Sequence, residues 1–85
     1  MHSVVSAEYI SGYRILITFD NGVQKIVDFS SHLNGPIFAP LRNLQYFKRF
    51  KVNKDIDTIA WPNTADFCPE LLYKIGKAVR EKAIV

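Results

Sequence analysis

"AWPNTADFCPELLY" occupies residues 60–73, and its two prolines mark points where one kind of secondary structure gives way to another. Pro62 has no backbone N–H to donate to a sheet, so it predicts the end of a strand. Pro69 is pre-organised for the first turn of a helix, and Cys68 before it is biased away from helical geometry. This signature segment therefore predicts that the last strand of a sheet leads into a C-terminal helix.

Three strands are predicted at the beginning of the chain. Residues 4–10, 13–19 and 23–29 are rich in β-branched and aromatic side chains, which favour strands. Asn21 and Gly22 lie between the second and third of these runs, and an Asn-Gly pair tolerates the positive φ angles of a two-residue hairpin turn. The pattern predicts consecutive antiparallel strands.

A short helix and two more strands are predicted in the middle of the chain. After a turn at residues 30–36, Pro40 opens a helix of about two turns with apolar side chains at three-to-four-residue spacing. Those side chains are Leu41, Leu44, Tyr46 and Phe47. Residues 50–52 and 58–61 are predicted as strands joined by the charged turn 53–57.

The C-terminal helix is predicted to bury one apolar stripe, made of Leu71, Leu72, Ile75 and Val79. Gly76 weakens the helix, so we expect it to end or bend there and residues 81–85 to be frayed. Together these elements predict one α+β domain over residues 1–85, with its core at about residues 3–80. It would contain a small antiparallel sheet of about five strands, one short internal helix and the C-terminal helix.

Composition limits the class of protein. The chain has 85 residues, of which 48% are apolar, and a formal net charge of +3, which describes one small globular domain. A single Cys68 closes no intramolecular disulfide, so we expect a reducing compartment and a buried thiol. The N-terminus lacks a secretory leader, and no apolar run approaches the roughly 20 residues that span a bilayer. We therefore expect a cytoplasmic protein without membrane contact.

Several motifs together resemble a family of short bacterial proteins known only as a domain of unknown function. The most specific is the run W-P-N-x-A-D-x-x-P-E-x-L-Y, from Trp61 to Tyr73. The resemblance extends over about residues 3–76 and includes Phe19-Asp20-Asn21-Gly22. Thr64 stands where the family often has glycine, so a tight turn with positive φ is not expected there.

The resemblance implies an α+β fold with a small antiparallel sheet and a C-terminal helix, and it implies no reaction. Some relatives carry a helix-turn-helix domain after this module, and others look like partners of a second small protein, in the manner of toxin–antitoxin pairs. This chain is expected to be too short for its own helix-turn-helix. We therefore predict a small protein-interaction module that binds a small partner protein, or a second copy of itself in a homodimer.

The polar and aromatic side chains of the signature segment are the candidate interaction surface. The candidates are Trp61, Asn63, Asp66, Glu70 and Tyr73. Tryptophan supplies a large contact area and one hydrogen-bond donor, which is typical of interface anchors. The same side chain could instead cap the core at the end of its strand, and both alternatives stay open.

An acid/base pair at Asp66 and Glu70 is the enzymatic alternative, because residues four apart share a face when both are helical. Asp66 precedes the pre-proline position, so we favour a turn or cap that accepts hydrogen bonds from N–H groups of Phe67, Cys68 or Glu70. Glu70 then interacts with the helix dipole. His2 and His32 lack metal-ligand spacing. We predict no catalytic residue, metal or cofactor, and therefore no enzyme.

A cluster of cations supports a nucleic-acid alternative. Its members, which alternate with Phe50 and Val52, are Lys48, Arg49, Lys51 and Lys54. We interpret them first as the solvated face of one strand. As the alternative, they would form the nucleic-acid surface of a transcriptional regulator that lacks its own helix-turn-helix, although the small net charge is weak support for a DNA-binding face.

Overall fold

A computed structural model describes residues 1–79 and confirms the α+β fold. The strands β1 (Val4–Ser11), β2 (Arg14–Phe19) and β3 (Gln24–Asp28) are consecutive and antiparallel, as predicted. A fourth strand, β6 (Lys77–Ala78), pairs with β3, so the order in this sheet is β1-β2-β3-β6. The sequence did not predict β6, because two exposed residues carry no strand periodicity.

Alternation along β2 places the core on one face of the sheet. Ile15, Ile17 and Phe19 are buried, whereas the residues between them are partly exposed. Period-2 alternation of this kind is the consequence of side chains pointing to opposite faces of a strand. The other elements complete the core with Val27, Phe29, Phe47, Ile59, Trp61 and Leu72.

The hydrogen bond between Phe19 and Val23 closes a three-residue loop, residues 20–22, rather than the predicted two-residue turn. Phe19 N–H donates to Val23 O at 2.9 Å, and Gly22 N–H donates to Phe19 O at 2.9 Å. Gly22 has a φ of +85°, and the Asn21 Oδ1 accepts from Val23 N–H at 3.0 Å. The Asn-Gly signal marked the hairpin correctly, but glycine alone takes the left-handed position, which is the geometry of a three-residue loop.

The predicted internal helix is divided in two at Asn43. A 3-10 helix spans Ala39–Arg42 and is followed by the short helix α1 (Leu44–Phe47). Asn43 is extended, with φ −80° and ψ 119°, and its side chain accepts a hydrogen bond from Tyr46 N–H at 3.2 Å. Asparagine favours such a cap over a helix interior, which explains why apolar spacing alone missed the break.

The next two strands form a sheet of their own. β4 (Lys51–Asn53) and β5 (Thr58–Ala60) pair antiparallel, with Lys51 opposite Ala60 and Asn53 opposite Thr58. The strands exist where they were predicted, but they are not part of the larger sheet. Strand propensity identifies a strand without identifying its neighbour.

The C-terminal helix α2 (Pro69–Ile75) begins at Pro69 as predicted and ends at Gly76. Leu72 is fully buried and Ile75 is partly buried, but Leu71 is exposed, and Val79 lies beyond β6. The predicted stripe is therefore wrong at those two positions, because the chain leaves the helix after two turns. The predicted frayed end lies outside the described residues.

The signature segment contains a second loop built like the one between β2 and β3. Trp61 N–H donates to Ala65 O at 2.9 Å, Thr64 N–H donates to Trp61 O at 2.9 Å, and Asn63 Oδ1 accepts from Ala65 N–H at 3.1 Å. Pro62 thus occupies the first loop position instead of simply ending the strand. Thr64 has a φ of +70°, so the expectation that it would avoid a positive φ is wrong.

Thr64→Gly is expected to stabilise the protein by about 1 kcal/mol, because a β-branched residue in the left-handed region is strained and Gly22 fills the equivalent position without strain. The measurement is the free energy of unfolding in urea. As the matched control, Gly22→Ala should lower the free energy of unfolding by a comparable amount. Destabilisation by Thr64→Gly would contradict the strained loop.

Candidate functional site

Trp61 belongs to the core and contributes almost no surface. Its side chain is 3% exposed, and its indole Nε1–H donates to Phe47 O at 2.7 Å. The ring lies 5.7 Å from the Phe47 ring and 5.9 Å from the Phe67 ring, measured between centroids. The structure therefore favours the core alternative for Trp61 over the exposed anchor.

Asn63 and Asp66 have different surroundings. Asn63 Nδ2 donates to Ile37 O at 2.9 Å, and this hydrogen bond connects the loop of the signature segment to the residues before the 3-10 helix. Asp66 is exposed, and within residues 1–79 its carboxylate accepts no hydrogen bond, so the predicted cap is wrong. Cys68 at the helix N-cap is exposed, contrary to the predicted buried thiol.

Glu70 and Tyr73 bind the N-terminus of the chain. His2 donates its backbone N–H to Glu70 Oε2 and its Nδ1 to Glu70 Oε1, the latter at 2.8 Å. The imidazole stacks on the Tyr73 ring, with centroids 3.7 Å apart and planes 15° apart. We call His2, Glu70 and Tyr73 the N-terminal clamp.

Residues of the larger sheet also hold Tyr73 in place. Lys25 Nζ lies 4.0 Å from the centre of the Tyr73 ring and donates to Tyr73 O at 2.5 Å. Asn21 Nδ2 donates to the Tyr73 hydroxyl at 3.3 Å, and the Phe19 ring meets the Tyr73 ring edge-on. The clamp thus joins the N-terminus, the β2–β3 hairpin and α2.

The clamp places an imidazole beside a carboxylate, but at the surface. The side chains of His2 and Glu70 are 26% and 49% exposed. Within the part of the chain that the structure describes, Asp66 makes no hydrogen bond or ion pair with either of them. Such an exposed pair fits attachment of the N-terminus better than it fits a protected acid/base site.

The clamp lowers the pKa of Glu70, chiefly because the His2 side chain and backbone donate hydrogen bonds that favour the ionised carboxylate. A pKa that is lower in the folded state adds stability above the ordinary range of glutamate, and this stability is lost as pH falls through the lowered value. We expect an NMR titration of the Glu70 carboxyl to show a depressed midpoint that rises in His2→Ala. The same midpoint in both proteins would contradict the clamp.

A concavity lies on the β4–β5 hairpin. It is an open groove of about 830 Å³, and its walls include all four cations of the predicted cluster: Lys48, Arg49, Lys51 and Lys54. Phe50, Val52, Trp61 and Pro62 contribute apolar lining, and Asp55 is the single acidic residue on its walls. We call this feature the basic groove.

Local structure explains why the cations converge. Lys51 lies on β4 opposite Ala60, Lys48 and Arg49 lie in the turn that follows α1, and Lys54 begins the hairpin turn. They therefore surround a groove instead of forming one strand face, which corrects the first interpretation. None of the four forms an ion pair with a partner in residues 1–79.

Two of these cations rest on aromatic rings. Lys48 Nζ lies 4.9 Å from the centre of the Tyr9 ring, and the Arg49 guanidinium lies 5.5 Å from the centre of the Tyr46 ring. Cation–π contacts of this kind restrict a flexible side chain while leaving its charge available. The Lys48 and Arg49 side chains are therefore partly pre-organised.

Residues 1–79 contain no helix long and apolar enough to cross a membrane. In the same range, no group of three or more histidine, cysteine, aspartate or glutamate residues is arranged to hold a metal ion.

Comparison with known proteins identifies one match. A family model described as "Protein of unknown function (DUF2442)" matches residues 4–78. No curated protein and no solved structure matches the chain.

Proposed function

Since that model matches most of the sequence, the chain belongs to the DUF2442 family of proteins of unknown function, and we propose that it is a small protein-interaction module. Its proposed role is the docking, antitoxin-like member of a two-protein bacterial system that acts in the cytoplasm. The basic groove is the observation that supports this proposal. We place the contact surface on the β4–β5 hairpin rather than on the signature segment, because Trp61 is buried and Glu70 and Tyr73 contact His2.

The electrostatics of the basic groove favour a protein partner with an acidic surface. Four cations without an ion-pair partner in residues 1–79 surround a lining that includes Phe50 and Val52, both partly buried. Interfaces combine an apolar centre with a polar rim, and complementary charge accelerates encounter and suppresses wrong partners. The walls of the groove include both cationic and apolar residues.

Charge reversal in the basic groove is expected to release the partner. Lys51→Glu combined with Lys54→Glu should remove at least one protein that co-purifies with the tagged wild type from its native host, because both residues are exposed groove walls. The readout is quantitative mass spectrometry of the purified complexes. The charge-matched control is Lys74→Glu with Lys77→Glu, which are exposed outside the groove. The same partner list for folded groove and control variants would refute the proposal.

A second variant tests the signature segment directly. Asp66→Asn is expected to keep the partner, because this exposed carboxylate lies outside the groove lining. Loss of the partner on Asp66→Asn, with retention in the groove variant, would return the contact surface to the signature segment.

The same cations support a second candidate, a nucleic-acid-associated regulator without its own helix-turn-helix. Phosphate contacts give an affinity that falls steeply as salt rises. This candidate requires measurable binding to duplex or single-stranded DNA at low salt, with weaker binding after charge reversal at Lys51 and Lys54. Absence of binding at low salt would remove it. We propose no reaction for the His2–Glu70 pair.

A further inference from the structure

We infer that the basic groove takes an extended acidic segment of the partner protein, with carboxylates at alternate positions. This inference rests on the proposed function, and it specifies the chemistry of the partner at that site.

The spacing of groups along β4 supports alternation in the bound segment. Lys51 and Asn53 are two residues apart on β4, so their side chains leave the same face of the strand. A strand advances about 3.3 Å per residue, which separates alternate side chains by about 6.6 Å. Carboxylates at alternate positions of an extended peptide have the same separation. Such a peptide can therefore present one carboxylate to Lys51 and the next to Asn53 Nδ2.

Other cations of the basic groove lie on either side of β4 in the chain. Lys48 and Arg49 lie before β4 and Lys54 lies after it, so cations of the groove flank Lys51 on both sides along the chain. Contacts with Tyr9 and Tyr46 already restrict Lys48 and Arg49, which lowers the entropic cost of pairing them with carboxylates.

The residue opposite Lys51 leaves room for the bound segment. Lys51 is paired with Ala60, whose single methyl group leaves room above the hairpin, and Pro62 borders the same space. Val52 and Phe50 also border the groove, but they alternate with Lys51 along the chain and pack partly against the core. An extended segment that faces Lys51 and Asn53 with its carboxylates turns its intervening side chains away from them, so the groove requires only the carboxylates.

The shape and the aromatic groups of the groove disfavour nucleic acid. A two-stranded ribbon that reads duplex DNA enters the major groove and presents its charges on a convex surface, whereas these cations line a concavity. Single-stranded nucleic acid is held by bases stacked on exposed aromatic rings. Of the two aromatic rings that line the groove, Trp61 is only 3% exposed and Phe50 is partly buried against the core, so neither offers an open platform.

The test is fluorescence anisotropy with the full-length protein and a labelled eight-residue peptide of alternating glutamate and valine. Two peptides serve as controls: one replaces every glutamate with glutamine, and the other separates the same residues into a glutamate block and a valine block. An eight-nucleotide single strand and a short DNA duplex are measured in the same buffer. Wild type is compared with K51E/K54E and with the charge-matched control K74E/K77E.

We expect the alternating peptide to bind the wild type with a Kd of about 10–100 μM at low salt. Binding should weaken about tenfold or more with the glutamine peptide or in K51E/K54E, because charge-assisted contacts are lost. It should also be weaker for the block peptide and at higher salt, and K74E/K77E should bind like the wild type.

Several outcomes would overturn the inference: no binding of the alternating peptide, equal binding of the glutamine or block peptide, equal weakening in K74E/K77E, or tighter binding of either nucleic acid. These outcomes are distinguishable from failure of the proposed function. If the peptide does not bind but K51E/K54E still loses its partner in the host, only the acidic segment is refuted. If K51E/K54E keeps its partner in the host, the docking function itself is refuted.

Discussion

Phe47→Ala should destabilise the protein by about 3–5 kcal/mol, a large part of the stability expected for a domain of this size. The Phe47 side chain is fully buried, and its ring meets those of Tyr13, Phe29 and Trp61 at centroid distances of 5.2, 5.7 and 5.7 Å. Removing the ring leaves a cavity that the surrounding aromatic side chains fill only in part. The measurement is the free energy of unfolding in urea.

Two variants separate this effect from changes in helix propensity. Phe47→Leu keeps most of the buried volume and should cost clearly less than Phe47→Ala. Leu44→Ala, in the same short helix but 39% exposed, should change stability by less than about 1 kcal/mol. A Phe47→Ala protein as stable as Leu44→Ala would contradict the central position of this ring.

Gly76→Ala should destabilise the protein by about 1–3 kcal/mol, because the added methyl group meets three neighbours at once. An ideal Cβ at position 76 would lie 2.8 Å from Lys25 Cβ, 3.0 Å from Leu72 O and 3.1 Å from Val27 Cγ2. The first of these atoms belongs to the beginning of a side chain and cannot move without shifting β3. The close approach of α2 to the sheet therefore depends on glycine.

The sign of the Gly76→Ala effect distinguishes two structures. If the helix simply continued through position 76, alanine would stabilise it by about 1 kcal/mol relative to glycine. In the structure the helix ends there and the chain turns into β6, so destabilisation is expected. Thermal and urea unfolding measure the difference. Lys77→Ala, at an exposed neighbouring position, is the control and should stay within about 0.5 kcal/mol of the wild type.

Local sequence signals predicted the elements that depend on local chemistry. Proline at position 69 marked the start of α2 because its ring fixes φ for the first helical turn. Asn21 and Gly22 marked the first hairpin because the turn needs a residue that accepts positive φ. A comparison of Phe-x-Asn-Gly-Val with Trp-x-Asn-Thr-Ala would also have revealed the second loop, since Asn63 repeats the role of Asn21.

Features that depend on long-range contacts were outside the reach of local patterns. The His2–Glu70 contact joins residues 68 positions apart, and no periodicity reports such a pair. The separation of β4 and β5 from the larger sheet, and the pairing of β6 with β3, are likewise set by packing. The burial of Trp61 depends on the Phe47 carbonyl, which accepts a hydrogen bond from the indole Nε1–H. Tertiary context decides strand neighbours and burial, which propensity does not encode.

The candidate site also combines residues that the sequence predicted with an arrangement that only long-range packing decides. The sequence identified the four cations as a cluster, but it placed them on one strand face, whereas two turns and a strand bring them around a groove. The signature segment is unusual in its residue types, which include a tryptophan, two prolines and two carboxylates. Most of that specificity serves structure: Trp61 fills the core, Asn63 closes a loop, and Glu70 and Tyr73 hold the N-terminus.

Hydrogen exchange at the Trp61 indole N–H is the most direct measurement of whether the signature segment builds the core or presents a contact surface. The indole is buried and donates to Phe47 O, so its proton should exchange only through opening of the whole domain, as slowly as the most protected amides of β2. Exchange at the rate of a free tryptophan side chain, in a protein whose β2 amides remain protected, would contradict the core assignment and make Trp61 a surface group.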